Sequence, residues 1–519
     1  MIKRAGAILL PLFSLRSDND LGRGEILDLR AFADWMLEMG HRVLQLLPLS
    51  ESAAGENSPY SALGAFSIDP LYISVYGLAG VPTTDLERVR AQVAGRRRIP
   101  QAELRTLKLP LLEAAFTYWR REGEAEEHRA FERFAAENKH WLPEYALFRA
   151  LKDRLAWDHW EHWPAELKGR NPEALEAARR ELQDPIAMYC YWQFLAWRQW
   201  TAMRRELAVM GVVLSGDLAF LPARDSADVW ANQELFDLDR MVGAPPDAFS
   251  STGQRWGLPM PDWPRMRADD LKWWRARARH AAGLFDLLRI DHVVGFYRTY
   301  SFAPDPEVPG RFYPEEESAQ REQGETFFKM LKEEVGPDAL IGEDLGAIPP
   351  WVRKSLTALG VMGLKVLRWE KKDWDTPDER FIPPSEYPEQ SVAVTGTHDT
   401  ETVAAWWRHA APLERGQLAQ ALNFPSTIEL SRPVMDEQIL DAILEPLYGS
   451  PSRLVLAPLQ DLFGWEQRIN TPGSIADRNW TYRLPMPIER LVHRRAVRAR
   501  TAKLREMARR AGRVQSPPE

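Results

Sequence analysis

Short apolar runs recur along this chain, each closing in polar or glycine-rich sequence, with stretches of helical spacing between many of them. The runs cover residues 7–13, 42–49, 212–220, 284–294, 339–345, 362–369, 391–397 and 453–459. Continuous apolar runs of roughly four to eight residues suit parallel strands covered on both faces, where neither side needs polar alternation. Helices are expected at 27–39, 326–335 and 351–359. Eight strands alternating with helices predict an α/β fold, a closed (β/α)8 TIM barrel, with an open doubly wound sheet as the alternative.

One gap is too long for a single crossover helix. Residues 86–200, between strands 2 and 3, read helical throughout, with amphipathic runs at 111–121, 128–137 and 185–206. They predict an inserted helical subdomain, which divides the chain into 1–85 with the first two strands, 86–200, and 201–519 with the rest of the barrel. Two irregular excursions, near 222–270 and 371–390, are rich in Pro, Asp and Trp. They are expected to form smaller loop subdomains at the C-terminal face, because long loops in compact domains usually serve function. The last thirty or so residues are strongly basic. Leu491, Ala499 and Met507 recur among the charges at near-helical spacing. That favours a closing barrel helix with a solvated cationic face over a nucleic-acid tail.

Composition narrows the class. The 519 residues are 45% hydrophobic and 27% charged, which are globular proportions, and the net charge of −7 argues against a nucleic-acid binder. The sole cysteine, Cys190, forms no intramolecular disulfide and builds no cysteine metal site, so a reducing cytoplasm is the simplest setting. Lys3 and Arg4 before the apolar stretch 5–15 imitate a signal peptide. Pro11 interrupts the stretch, however, and Arg16, Ser17 and Asp18 stand where small cleavage-site residues would, so it reads as the first strand. No run reaches the ~18–20 apolar residues of a membrane span. Twenty-one tryptophans invite a sugar-stacking reading, although large aromatics are first of all core fillers. Eight of them lie within 86–200, where packing is the default.

The chemistry of a barrel sits at the C-terminal ends of its strands. Here strand 3 ends in Asp217, strand 4 in Arg289-Ile290-Asp291-His292, strand 5 in Gly342-Glu343-Asp344, and strand 7 in Thr397-His398-Asp399. Carboxylates on four strand ends would converge on one mouth and repel each other without a use. One use is metal binding, and another is acid/base and nucleophilic work on a glycosidic bond. His292 and His398 each adjoin a strand-end carboxylate and look like hydroxyl partners for a sugar. No Walker loop, G-x-G-x-x-G or G-x-S-x-G occurs. Gly22-Arg23-Gly24 reads as a turn. His159 and His162, without a second cluster, read as surface residues.

The strand-end motifs R-I-D-H (289–292), E-D-L-G (343–346) and T-G-T-H-D (395–399) resemble those of the 4-α-glucanotransferases, glycoside hydrolase family 77 of the α-amylase clan. The likeness runs in order along the chain, through L-P-L-S-E-S-A-A-G-E-N-S-P-Y (47–60), the block 216–232, the loop G-A-P-P-D-A-F-S-S-T-G-Q-R-W-G (243–257), and L-A-P-L-Q-D-L-F-G with the later N-T-P-G and N-W. It implies a retaining double displacement on malto-oligosaccharide, starch or glycogen chains, with no metal or cofactor. Asp291 would be the nucleophile, Glu343 the general acid/base and Asp399 the transition-state stabiliser. Tyr60, Asp217, Trp256, His292 and His398 fall on donor-side positions of the family, with Tyr60 a stacking platform, and Arg289 is counted with them among the substrate-binding residues. Arg289, two residues before Asp291, points the same way on a strand and can keep it ionised. Glu343 should start protonated, its pKa raised by burial or by Asp291 and Asp399. The Asp291 and Glu343 carboxyls should lie about 5–5.5 Å apart. Trp230 and Trp256 lie in blocks beside the expected cleft, and Trp369 and Trp374 flank a loop that could reach it. Departures from the family pattern fall at Ser61, Asp69, Ala248, 258–261, Val293 and Val294. A monomer is expected.

Overall fold

All eight apolar runs contribute a strand to one closed parallel barrel in the computed structural model, which describes residues 4–53, 55–246, 253–305, 307–373, 376, 379–474 and 476–514. The strands are β1 (Ala5–Leu9), β2 (Val43–Gln45), β3 (Val213–Leu218), β4 (Leu287–Ile290), β5 (Leu340–Gly342), β6 (Met362–Val366), β7 (Ser391–Val394) and β8 (Leu454–Pro458). They stand in chain order around the barrel, and β8 closes onto β1. Every residue of β1, β2, β4, β5, β7 and β8 is buried, which is why these runs lack polar alternation. The first strand stops earlier than the apolar run suggests. Pro11 has no N–H for the ladder, and Leu12–Ser14 wind into a 3-10 turn. The three expected helices appear as Leu29–Glu38, Glu317–Val335 and Pro350–Ala358.

Between β2 and β3 lie the long helices Thr83–Val93, Gln101–Glu122, Ala125–Glu137, Leu142–Arg154, Pro172–Glu181 and Gln183–Val209. The last runs past residue 200, because no breaker intervenes before Gly211, whose φ is +77°. It packs on Leu142–Arg154 and on the barrel helix Leu29–Glu38, so one helix serves both the insertion and the barrel's outer ring. Trp119, Trp141, Trp160, Trp163, Trp192 and Trp200 are buried, and Trp157 and Trp197 are partly buried against the same core.

A buried charge cluster ties the insertion to the loop after β2. Glu51 is fully buried and accepts hydrogen bonds from Arg105 Nη1 (2.8 Å), Arg149 Nε (2.9 Å) and the Tyr145 hydroxyl. Its backbone carbonyl accepts from Leu63 N (2.7 Å), so this carboxylate also fixes the segment that carries Tyr60. Replacing Glu51 with Gln would take the shared counter-charge from buried Arg105 and Arg149, leaving Arg149 only its pair with Asp153 (2.8 Å). Denaturant unfolding should register a loss of about 3–5 kcal/mol. A change within 1 kcal/mol would mean the cluster is not coupled to folding. Asp69, one of the positions that depart from the motif pattern, has a comparable role. It lies 3.1 Å from Arg23 Nη1 and accepts from Gln101 Nε2 (3.2 Å), while the Arg23 guanidinium stacks 4.2 Å over Tyr72. The turn Gly22-Arg23-Gly24 thus aims a buried cation, with Gly22 at φ +96°.

The excursion at 222–270 is more regular than its composition suggests. It holds a helix, Ala227–Ala231, and a hairpin of Phe236–Ala244 with Gln254–Pro261, which Thr299–Phe302 and Arg311–Tyr313 extend to a four-stranded antiparallel sheet. Pro259, Pro261 and the charges at Asp237, Asp239 and Arg240 hide the strand signal. In 371–390, Lys371–Lys372 pair with Arg380–Phe381. Ala248 and Trp374 lie outside the described residues. The basic C-terminal segment forms the helix Arg495–Arg510, and its core face is Val497, Arg500, Thr501, Leu504, Met507 and Ala508. Ala499 is exposed and Leu491 belongs to the preceding short helix, so the expected stripe was out of phase. Arg500 and Arg513 are themselves buried, donating to Leu462 O (2.7 Å) and Ser450 O (2.8 Å). Among the described residues no helix is long and apolar enough to cross a membrane.

Candidate active site

Parallel register brings the strand-end residues together. Asp217 on β3 pairs with Arg289 on β4, and Ile290 on β4 pairs with Gly342 on β5. Asp291 and Glu343 each follow by one residue, their amides still in the ladder to Leu218 O (3.1 Å) and Ile290 O (2.9 Å). Two carboxylates therefore stand side by side on adjacent strands. Arg289, buried beneath them, donates from Nη1 to both oxygens of Asp217 (2.7 Å each) and to Asp291 Oδ1 (3.1 Å). Burial opposes its charge, but Asp217, Tyr60 and Asp291 hold its pKa well above the ordinary value. Asp291 keeps 26% of its side chain exposed at the mouth.

Glu343 differs from its neighbour. Burial first, then the charges of Asp291 and Asp344, push its pKa up to about 8 against the opposing pull of Arg289 and the His292 amide. It is protonated at neutral pH. Its Oε2 accepts from His292 N (2.9 Å) and Oε1 from Leu345 N (3.3 Å). His292 sits in the left-handed region at φ +47°, a turn that aims its amide at Glu343. Burial lowers the His292 imidazole to about 4, so the ring is neutral at pH 7.

Asp399 lies past β7. Burial raises its pKa, but the His398 charge and hydrogen bonds from His398 and Asn470 outweigh this and bring it to about 2. Asn470 Nδ2 donates to Asp399 Oδ1 (2.6 Å), and Arg468 Nη2 to its backbone carbonyl (2.7 Å). Tyr60 OH donates to Asp217 Oδ2 (2.6 Å), which leaves its oxygen to accept from His398 Nε2 (3.1 Å). Since Nε2 also faces Asp399 Oδ2 at 3.3 Å, this nitrogen carries a hydrogen.

Tyr60, Asp217, Arg289, Asp291, His292, Glu343, His398 and Asp399 thus form one connected set, and Trp256 joins it edge-on to His292 with ring centroids 4.8 Å apart. Trp230 does not belong to it. It is fully buried, its Nε1 donates to Leu167 O (3.0 Å), and Arg170 covers its ring at 4.3 Å, so it is core. Trp369, 43% exposed just past β6, stands on the mouth's side of the barrel. Sequence reasoning assigned no role to Asn470, Arg468 or Trp480. The Trp480 ring lies 5.8 Å from Tyr60 and 5.7 Å from His398, forming an aromatic wall with them. The signal was present in N-T-P-G and N-W, but only the fold carries those segments back over Asp399.

The raised Glu343 pKa also sets a stability prediction. Its folded value exceeds its unfolded one of about 4.5, so its contribution is full below pH 4.5 and is lost as pH rises through 8. Glu343→Gln should therefore melt higher than the unmodified chain at pH 9, by ~1–3 °C, with a smaller difference at pH 5. A calorimetric scan at both pH values checks this, and a lower melting temperature at pH 9 would contradict it.

The chain is similar over most of its length to known proteins. A family profile described as 4-alpha-glucanotransferase matches residues 10–488. The 4-alpha-glucanotransferase of Thermus thermophilus is 34% identical over 470 residues, covering 88% of this chain and 90% of that protein. That of Chlamydia pneumoniae is 32% identical over 507 residues, covering 94% and 93%. Amylomaltase from Streptococcus agalactiae, solved in complex with acarbose, superposes with a TM-score of 0.86 at 26% identity, covering 98% of this chain and all of that one. With these sequence matches spanning most of its length, the chain belongs to the 4-alpha-glucanotransferase family, glycoside hydrolase family 77.

Proposed function

We propose that the chain transfers α-1,4-glucan segments by a retaining double displacement, with Asp291 as nucleophile and Glu343 as acid and base. The observation that carries the reading is the placement of Asp291 and Glu343 one residue past the paired Ile290 and Gly342. Adjacent strands lie about 4.8 Å apart. Carboxyls leaving adjacent strands at that backbone spacing can reach the roughly 5–5.5 Å separation of retaining enzymes.

In the first step Asp291 Oδ attacks the anomeric carbon, and Glu343 gives its proton to the departing glycosidic oxygen. The shortened glucan leaves with a 4-hydroxyl, and the donor part remains as an ester on Asp291. That ester removes one of the negative charges that raise the Glu343 pKa. The now anionic Glu343 is steadied by the His292 and Leu345 amides and becomes a competent base. It takes the proton of an acceptor 4-hydroxyl, whose oxygen displaces Asp291 and restores the α-linkage. Asp399, ionised at working pH, holds donor hydroxyls as positive charge develops on the sugar ring. Tyr60 with Trp480 offers the stacking wall, while Trp256, Asp217, His292 and His398 complete the donor side. Nothing in this sequence of steps needs a metal or cofactor.

Incubation with maltotriose tests the reading. Transfer yields glucose and a ladder of longer chains, whereas short products with new reducing ends alone would mean hydrolysis. Asn470 is a positioning residue in this scheme. Asn470→Ala should lower kcat by about tenfold, the weight of a hydrogen bond to a charged group. It should also move the acidic limb of the pH profile upward, because Asp399 loses a stabilising donor. An unshifted limb would remove Asn470 from the scheme.

We further infer a cytoplasmic, monomeric enzyme acting on malto-oligosaccharide, starch or glycogen chains, without nucleic-acid or membrane partners. Support comes from the net charge of −7 and from Cys190, whose thiol burial pushes up to about 12 and so keeps unreactive.

A further inference from the structure

The motif L-A-P-L-Q-D-L-F-G places one acid, Asp461, on the short helix Leu459–Phe463 that follows β8. Asp461 stands outside the catalytic set, yet it is only 1% exposed. A carboxylate so deeply buried costs free energy unless its oxygens are used. Here both are. Oδ2 accepts from Thr395 Oγ1 (2.6 Å) and Oδ1 from Val403 N (2.8 Å). Thr395 directly follows β7, and Val403 opens the helix Val403–His409. One carboxylate therefore pins both ends of the loop between them, and that loop carries His398 and Asp399.

A second buried charge grips the same loop. Arg368, just past β6, donates from Nη2 to Glu401 O (2.7 Å) and to Thr395 O (3.4 Å), and its guanidinium stands 5.7 Å over the Trp406 ring. Within the loop, Thr400 Oγ1 accepts from Thr397 N (3.0 Å) and donates to Thr397 O (3.1 Å), while Asp399 N donates to Thr397 Oγ1 (3.2 Å). Gly396 is needed for this close turn, because a Cβ there would lie 2.3 Å from Thr400 Oγ1. At the tip, Asn470 N donates to His398 O (3.2 Å), beside the bonds that Asn470 and Arg468 give Asp399. The chain's own groups thus fix the loop at base and tip. A carboxylate held in place beforehand stabilises developing charge without reorganising during the reaction.

We propose that Asp461 is a positioning residue for glucan transfer, holding the loop after β7 so that Asp399 stands ready for the donor hydroxyls before the sugar arrives. The proposal rests on the reading of Asp399 as the transition-state stabiliser. Burial disfavours the Asp461 anion, and the Thr395 bond and the Arg368 charge favour it. With its charge offset in this way, Asp461 acts on the loop through its two hydrogen bonds. Asparagine can keep both, with Oδ1 accepting from Val403 N and Nδ2 donating to the Thr395 hydroxyl. Alanine keeps neither. Asp399 itself would register the loss. Burial raises its pKa, and the His398 charge, the bonds from His398 and Asn470, and Arg289 together bring it to about 2. A slackened loop weakens those contacts and lets the pKa rise.

Maltotriose disproportionation tests the proposal, with kcat expressed per folded enzyme and folding followed by calorimetry. Asp461→Ala should lower kcat by about 10²-fold with KM little changed, and should move the acidic limb of the pH profile upward. Asp461→Asn should stay within about fivefold of the unmodified enzyme, with its limb in place. Thr395→Val removes one of the two bonds, so kcat should fall by about three- to tenfold with the same upward movement of the limb. That variant decides the matter if Asp461→Ala does not fold. A role in folding alone would lower the melting temperature and leave kcat and the limb unmoved in both variants, which overturns the proposal. Asp461→Asn as slow as Asp461→Ala also overturns it, because charge and not the pair of bonds would then be what matters. Asp399→Asn, assayed in parallel, should be slower by about 10²–10³-fold. Full turnover in Asp399→Asn would refute the reading of Asp399 and the proposal with it, whereas failure of the proposal alone leaves Asp399→Asn slow and Asp461→Ala fast.

Discussion

Replacing Asp291 with Asn should lower maltotriose turnover by about 10⁴-fold or more while maltotriose still binds. The amide has nearly the same shape as the carboxylate, so the contact with Arg289 Nη1, 3.1 Å in the unmodified chain, can persist, and so can the ladder from Asp291 N to Leu218 O. What disappears is the charge and the nucleophile. An amide oxygen forms no stable glycosyl ester, and losing the covalent route removes the catalysis that depends on splitting one hard step into two. Glucose release measures the first quantity and calorimetry the second. Turnover within tenfold of the unmodified enzyme would exclude Asp291 as nucleophile.

The second large effect belongs to Glu343 and is read against pH. With its carboxyl at about 8, the first step has its acid at neutral pH and loses it as pH rises through 8, so activity should fall on that side. Glu343→Gln should be slower on maltotriose by about 10³–10⁴-fold. Its remaining activity should lack the alkaline limb, because the group that titrates there is gone. A donor whose leaving group needs no proton, such as α-maltotriosyl fluoride, should restore the first step in this variant and leave the second slow. An alkaline limb that survives Glu343→Gln would assign the acid to another residue.

How much of this was legible in the chain follows from physical cause. The barrel strands could be read because burial on both faces leaves an uninterrupted apolar run, as in Leu454–Pro458. The hairpin after β3 could not, since Pro259 and Pro261 and its exposed charges erase alternation. Asp291, Glu343 and Asp399 were visible as carboxylates at strand ends, positions where one barrel gathers its side chains. Asn470 and Trp480 were not assignable, because what brings them to Asp399 and Tyr60 is a return of the chain after β8 that no local pattern encodes. Trp230 shows the converse. Its sequence neighbourhood is that of the site, yet its side chain turns into the core beside Phe148 and Trp163. Glu51 stood in a motif beside the cleft, and only the packing of Arg105 and Arg149 around it reveals a structural anchor for the Tyr60 segment.

The central claim is that the glucan passes through an ester on Asp291, and trapping that ester tests it most directly. Glu343→Gln incubated with α-maltotriosyl fluoride should form the ester and fail to release it. Tryptic cleavage after Arg289 and Arg298 then yields the peptide Ile290–Arg298, in which Asp291 is the sole carboxylate side chain. The account predicts that this peptide gains the mass of one maltotriosyl unit. An unmodified peptide alongside continued fluoride release, or the same mass found on a different peptide, would contradict it.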